Sequence, residues 1–135
     1  MFRIRYCREI VLKLLFQVDV LKLDNQEVSA EQLLKNNKNF FNIITRMEKK
    51  FILKITQKVL VEKDLIDQLI SRNLIGWKLD RLMPVDRAML RMAVAESFFD
   101  PPKAVLIDDV IRIAKKYGGE DSYKIINAVL DKVIK

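Results

Sequence analysis

Three arginines, Arg3, Arg5 and Arg8, precede the first acidic residue of this 135-residue chain, and Phe2 and Tyr6 stand among them. Guanidinium groups grip phosphate through paired N–H donors, and aromatic rings stack on unpaired bases, so the spacing fits a polyanionic partner. The competing reading is a solvated helix start, where basic residues oppose the helix dipole at a cost of roughly a few tenths of a kcal/mol. The charge balance leans the same way as the first reading. Twenty-five Lys and Arg against eighteen Asp and Glu give +7, and residues 1–22 hold five basic residues against only Glu9 and Asp19. Net charge speaks to partners and not to fold.

Other residue types exclude more than they offer. The chain has no histidine, which removes the imidazole base, the Ser-His-Asp and Cys-His pairs and His-ligated metal. One cysteine, Cys7, forbids an internal disulfide and a multi-Cys zinc site; lying on an apolar stripe, it reads as a buried thiol. Asp108 and Asp109 resemble a paired-carboxylate site, but neighbours on a helix diverge by about 100°, and no third ligand is spaced for them. Lys115-Lys116 reads as a solvated helix end and Glu120-Asp121 as a helix opening. Gly118-Gly119 lacks the surroundings of a phosphate loop. No catalytic constellation emerges, and neither enzyme activity, cofactor nor metal is expected. The apolar residues after the basic start are interrupted by Lys13, Gln17 and Asp19, too often for a signal segment or a membrane span. The expected location is cytoplasmic.

The elements that must carry these residues read as helices throughout. Three glycines and three prolines leave little punctuation for an all-β fold. Cys7, Ile10, Val11, Leu14, Leu15, Val18 and Leu21 form one helical stripe. Ser29 and Gln32 have the spacing of a capping box that opens a short helix around 31–34. A long periodic stretch from Asn42 to Asn73 exceeds the usual helix length, with its break placed at Glu62-Lys63-Asp64. Pro84 suits the first turn of the next helix, which Asp100-Pro101-Pro102 stops. A further helix spans Ala104 to Tyr117, with Gly118 expected as a left-handed cap. The last helix runs from Gly119-Glu120-Asp121-Ser122 to the end. Trp77, Met83, Met89 and Met92 read as core. The prediction is an all-α compact bundle of six to seven helices, one domain over 1–135, in two small sub-bundles of about 1–61 and 62–135.

Two segments carry a family likeness: residues 77–96 (WKLDRLMPVDRAMLRMAVAE) and 114–132 (AKKYGGEDSYKIINAVLDK). With Arg5-Tyr6-Cys7-Arg8-Glu9, Leu15-Phe16-Gln17 and the run from Pro102 to Ile107, they resemble the NusB family of bacterial transcription antitermination factors. The likeness spans nearly the whole chain and is weakest over 23–60. It implies an all-helical factor that pairs with NusE, a small-subunit ribosomal protein. The pair is implied to bind single-stranded boxA RNA of nascent ribosomal RNA within the transcription elongation complex. By the same resemblance Arg5 and Arg8 fall in an Arg-rich RNA-binding start, Asp121 and Lys124 in a second RNA-contacting patch, and Phe16 and Asp86 where NusE binds. Arg3 is added to the RNA-binding set from charge alone. Ile125 stands where the family often has Phe, and Tyr123 is the substitute stacking residue. Ala128 replaces a frequent Gly, Ala95 a frequent Tyr and Asp108 a common Asn.

Two other readings compete. One is a helical protein–protein module without RNA binding, homodimeric in its simplest form, with an incidental basic end. The other is a subunit of an RNA-modifying enzyme, against which stands the lack of any residues suited to a methyl-donor cofactor.

Overall fold

The computed structural model describes residues 1–23 and 28–135. Among these it contains eight α-helices and no strand: α1 Ile4–Val20, α2 Ala30–Asn36, α3 Lys38–Phe41, α4 Arg46–Val61, α5 Lys63–Arg72, α6 Pro84–Ser97, α7 Lys103–Tyr117 and α8 Ser122–Val133. A single 3-10 turn at Leu79–Arg81 leads into α6. The element beyond the expected seven is α3, a single turn too short to leave a periodic signal.

Helix α6 lies at the centre. Every residue from Ala88 to Glu96 is buried, and α1, α4, α5, α7 and α8 all pack against it. Ala88, Ala93 and Ala95 keep its surface low, so neighbouring helices approach from several sides. Met89, Leu90 and Met92 fill the space between them and are fully buried, each stabilising the fold by about 1.5–3 kcal/mol relative to exposure. One hydrophobic cluster runs from Cys7 to Ile134. Ion pairs close the sides: Arg87 meets Asp19 of α1 at 2.8 Å, and Arg91 meets Asp67 of α5 at 2.8 Å.

Local signals explain most boundaries. Ser29 accepts from the Gln32 backbone N–H and opens α2, and the Pro84 start of α6 is present. The long stretch breaks at Glu62, the C-cap of α4. Its start lies later than Asn42, because Thr45 and Glu48 form a full capping box that begins α4 at Arg46. Helix α1 ends in a Schellman pattern, with Leu23 N–H on Val18 O and Lys22 N–H on Asp19 O. Lys22 takes a positive φ of 53° there.

Two expectations are corrected. Gly118 is not left-handed: its φ is −86° and ψ −179°. It is glycine for space, since a Cβ there would lie 2.6 Å from Ser122 Cβ and 2.7 Å from the Ala114 carbonyl. Trp77 and Met83 are not core. They keep 54% and 45% of their surface exposed, while Met89 and Met92 are buried.

Candidate nucleic-acid interface

The three N-terminal arginines share a sequence neighbourhood and have three different fates. Arg3 caps α1 and is tied down. Its Nε and Nη2 donate to Glu48 at 2.8 Å each, its backbone N–H reaches the same carboxylate at 3.0 Å, and Nη2 also meets the Ile43 carbonyl. The guanidinium lies 4.4 Å from the centre of the Tyr6 ring. Glu48 is buried, and bonds from Arg3 and from the Thr45 backbone hold its carboxyl well below the usual carboxylate range. The basic start is thus fastened to α4 and does not trail as a mobile arm.

Arg8 is enclosed. Its side chain is 3% exposed, and it bonds Glu96 at 2.8 and 2.5 Å and Asp109 at 2.6 Å. Arg5, one turn earlier, reaches the other oxygen of Asp109 at 2.5 Å and leaves half its side chain in solvent. Asp109 faces inward to these arginines, whereas Asp108 faces out to Arg112 at 3.3 Å. The two carboxylates diverge as the helical period requires. Among the described residues no three His, Cys, Asp or Glu side chains are gathered to hold a metal ion. Burial pushes the Cys7 thiol up to about 11, which leaves it protonated and inert.

Beyond Arg5 the outward face of α1 continues at four-residue steps through Glu9 and Lys13. Glu9 accepts from Lys116 Nζ at 2.8 Å and from the Tyr117 hydroxyl. Burial raises its pKa, but those two hydrogen bonds outweigh it and hold the carboxyl below its ordinary value. Lys13 lies 5.4 Å from the centre of the Phe40 ring and 5.7 Å from that of Tyr117. At the end of α7 the adjacent lysines point apart. Lys116 turns to α1, and Lys115 turns to α8, 5.0 Å from the centre of the Tyr123 ring. Lys124 flanks the same ring at 5.9 Å and meets Asp121 at 3.4 Å. Cations therefore flank two aromatic rings in a band across α1, α7 and α8: Lys13 and Lys116 at Tyr117, and Lys115 and Lys124 at Tyr123, with Arg5 two turns before Lys13 on α1.

The turn that joins α7 to α8 is built from small residues. Gly119 N–H donates to Ser122 Oγ at 2.8 Å, and the absent Cβ of Gly118 lets α8 start close against α7. Asp86, in the first turn of α6, is buried beneath. Burial raises its carboxyl pKa, a hydrogen bond from Ser122 opposes this, and burial wins. Its Oδ1 has no hydrogen-bond partner.

The structure thus gathers Tyr123, Lys124 and Asp121 at the start of α8, leaves Arg5 half in solvent on α1, and sets Arg3 and Arg8 into structural pairs. Phe16 is exposed on α1 with Val20 one turn on. Asp86 is buried and does not share that surface. The sequence singles out neither Lys13 nor Tyr117 and reads Lys115-Lys116 as a solvated helix end; the structure sets all four beside aromatic rings or the carboxylate of Glu9. The clue to Lys13 was its place four residues after Glu9, off the apolar stripe; the α7 lysines gave none, since a solvated helix end looks the same.

The model of the NusB family matches residues 5–135. The transcription antitermination protein NusB of Bacillus pumilus is 34% identical over 131 residues, which cover 96% of this chain and 92% of that protein. The solved structure of T. maritima NusB superposes with a TM-score of 0.86 at 35% identity, over 99% of this chain and 92% of its own. A chain in a crystal structure of a plectonemic RNA supercoil superposes with a TM-score of 0.81 at 26% identity, covering 96% of this chain and 91% of that one.

Proposed function

Since the chain belongs to the NusB family of transcription antitermination factors, we propose that it binds boxA-type single-stranded RNA of nascent ribosomal RNA, together with NusE. The family is one of regulators and not of enzymes. The observation that carries the RNA reading is the band across α1, α7 and α8, in which exposed cations flank Tyr117 and Tyr123. Single-stranded RNA exposes both its phosphates and the faces of its bases, so rings flanked by cations suit it without a groove-reading helix.

Within that reading the residues divide by role. Arg5, Lys116, Lys115 and Lys124 grip phosphates, Tyr123 supplies a stacking face, and Asp121 orients Lys124 through their ion pair. Arg3 and Arg8 act by holding α1: Arg3 on α4, and Arg8 on the Asp109 that aims Arg5. Phe16, with Val20, forms the apolar part of a surface for NusE. Asp86 acts indirectly, by supporting Ser122 at the start of the RNA-contacting helix. The RNA-bound pair joins the transcription elongation complex and lets RNA polymerase pass terminators.

The test is binding of a boxA-like single-stranded RNA across salt concentration, with and without NusE. Substituting Arg3, Arg5 and Arg8 together would strip the core of Arg8, so the variant to use is Arg5→Ala with Lys124→Ala. Affinity should rise with NusE, fall with salt and fall in the variant, with a salt slope shallower by about 0.7 for each phosphate that is no longer neutralised. Absence of RNA binding by the wild type even with NusE would overturn the reading and favour a protein-interaction module.

A further inference from the structure

Trp77 is the chain's single tryptophan, and the fold leaves it out of the core. It sits in the segment between α5 and α6, and Ile75 beside it is 76% exposed. Two large apolar side chains on one short loop are costly to leave in water. The loop is nevertheless built with care. Asn73 caps α5 and donates through Nδ2 to the Leu69 carbonyl at 2.8 Å. Gly76 turns the chain at φ +79°, a conformation that glycine alone adopts freely, with no atom within 4 Å of where a Cβ would stand.

This loop forms one wall of a cleft of about 220 Å³ against α8. Trp77 and Ile75 line it from the loop, and Lys124, Ile125, Ala128 and Lys132 from the helix. Residues 124, 128 and 132 share one helix face at four-residue steps, spanning about 12 Å. The order is cation, small residue, cation. Ala128 leaves the floor of the cleft open, and a lysine stands at each end. Lys132 makes no ion pair among the described residues, and Lys124 has only the exposed Asp121 at 3.4 Å. The volume falls below the ~300 Å³ at which pockets for whole small molecules begin, a size suited to one flat ring.

We propose that the cleft between Trp77 and α8 seats one unpaired nucleobase of the bound RNA, stacked on the indole, with the flanking phosphates on Lys124 and Lys132. The inference rests on the RNA reading above and extends it past Tyr123, because Lys124 belongs to both the cation–aromatic band and the cleft. A charged pocket with an aromatic wall also admits an acidic peptide. The indole wall and the sharing of Lys124 with the Tyr123 ring favour the base.

The tryptophan supplies its own probe. The full-length protein is titrated with boxA-like single-stranded RNA while indole fluorescence and the anisotropy of labelled RNA are followed in parallel, with polyglutamate as the competing polyanion. Expected is a fluorescence change that tracks the anisotropy isotherm, with polyglutamate causing none. Trp77→Ala should weaken binding by roughly 5- to 150-fold, the stacking range, and Trp77→Phe should retain most of it. Lys132→Gln should make the salt slope shallower by about 0.7. Ala128→Leu fills the cleft while keeping the indole in place and should weaken binding in a folded protein, a check against a Trp77→Ala variant that loses its structure. Binding by anisotropy with silent fluorescence and unchanged affinity in Trp77→Ala and Ala128→Leu would overturn the inference and leave the RNA reading intact. No anisotropy change at all would remove both. A fluorescence response to polyglutamate and none to RNA would assign the cleft to a protein partner.

Discussion

The molecule carries two charge systems a few residues apart, and they are built to opposite ends. Where α1, α6 and α7 meet, Arg8 is locked between Glu96 and Asp109 with almost no exposure. Across the middle of α1, the end of α7 and the start of α8, lysines stand over Tyr117 and Tyr123 with most of their length in solvent. The inner system uses arginine, whose planar fork satisfies two carboxylates at once and is weakly hydrated. The outer one uses lysine, a flexible point charge that gives up a weak pairing for a phosphate at little cost. Arg5 joins the two, with its Nε on the inner Asp109 and the rest of its side chain outside. A run of basic residues in a sequence is therefore not one feature. Burial and pairing decide which cations hold the fold and which remain available to a partner.

The sharpest way to break this contrast is at Arg8. Arg8→Ala leaves Glu96 buried and unpaired, and deprives Asp109 of one of its two arginines. Removing one partner of a buried pair costs about 3–5 kcal/mol, a large share of the ~5–15 kcal/mol that stabilises a domain. Urea denaturation should show the midpoint falling sharply. A loss below about 1 kcal/mol would mean that Arg8 is solvated in solution and that the two systems are not distinct.

The converse substitution sharpens the contrast from outside. Lys115→Ala with Lys124→Ala removes two surface cations that lie against the Tyr123 ring, Lys124 also meeting the exposed Asp121. Each should change stability by no more than about 0.5 kcal/mol. RNA affinity should fall about tenfold, equivalent to ~1.4 kcal/mol. A stability loss comparable to that of Arg8→Ala would show that the band is structural and erase the distinction.

The same contrast explains what could be read in advance. The helices were legible because their apolar residues recur at 3.6-residue spacing and their ends carry Ser29, Pro84 and the Asp100-Pro101-Pro102 stop. Helix α3 was not, since four residues fill one turn and give no period. The residue types of the interface were legible at Arg5 and Lys124, but their partition was not. Arg8 lies 88 positions from Glu96 and 101 from Asp109, and no local pattern announces a pairing over that distance. Trp77 failed for a related reason: its size argues for burial, and only the turn at Gly76 and the start of α6 leave it outside. Gly118 was recognised as necessary at a helix end, though the cause is the approach of Ser122 and not a left-handed backbone.

The smallest effect lies at Asp86, which is buried in α6 and accepts from Ser122 at the start of α8. Its place in the first turn of α6 favours a negative charge through the helix dipole, yet burial raises its pKa on balance above the ordinary value of 3.8. The folded state therefore holds that proton more tightly than the unfolded chain. The resulting stabilisation is fully present below the unfolded value and is lost as pH rises through the raised folded one. Asp86→Asn keeps an oxygen to accept from Ser122 but has no proton to release. The stability of the wild type minus that of the variant should fall as pH climbs through this window and stay flat above it, as read by thermal unfolding at a series of pH values. The variant should then match or exceed the wild type near neutral pH, with RNA binding retained because Asp86 itself is covered. A difference that grows with pH would mean that the carboxylate is stabilised by its setting, and would place Asp86 with the outer charges after all.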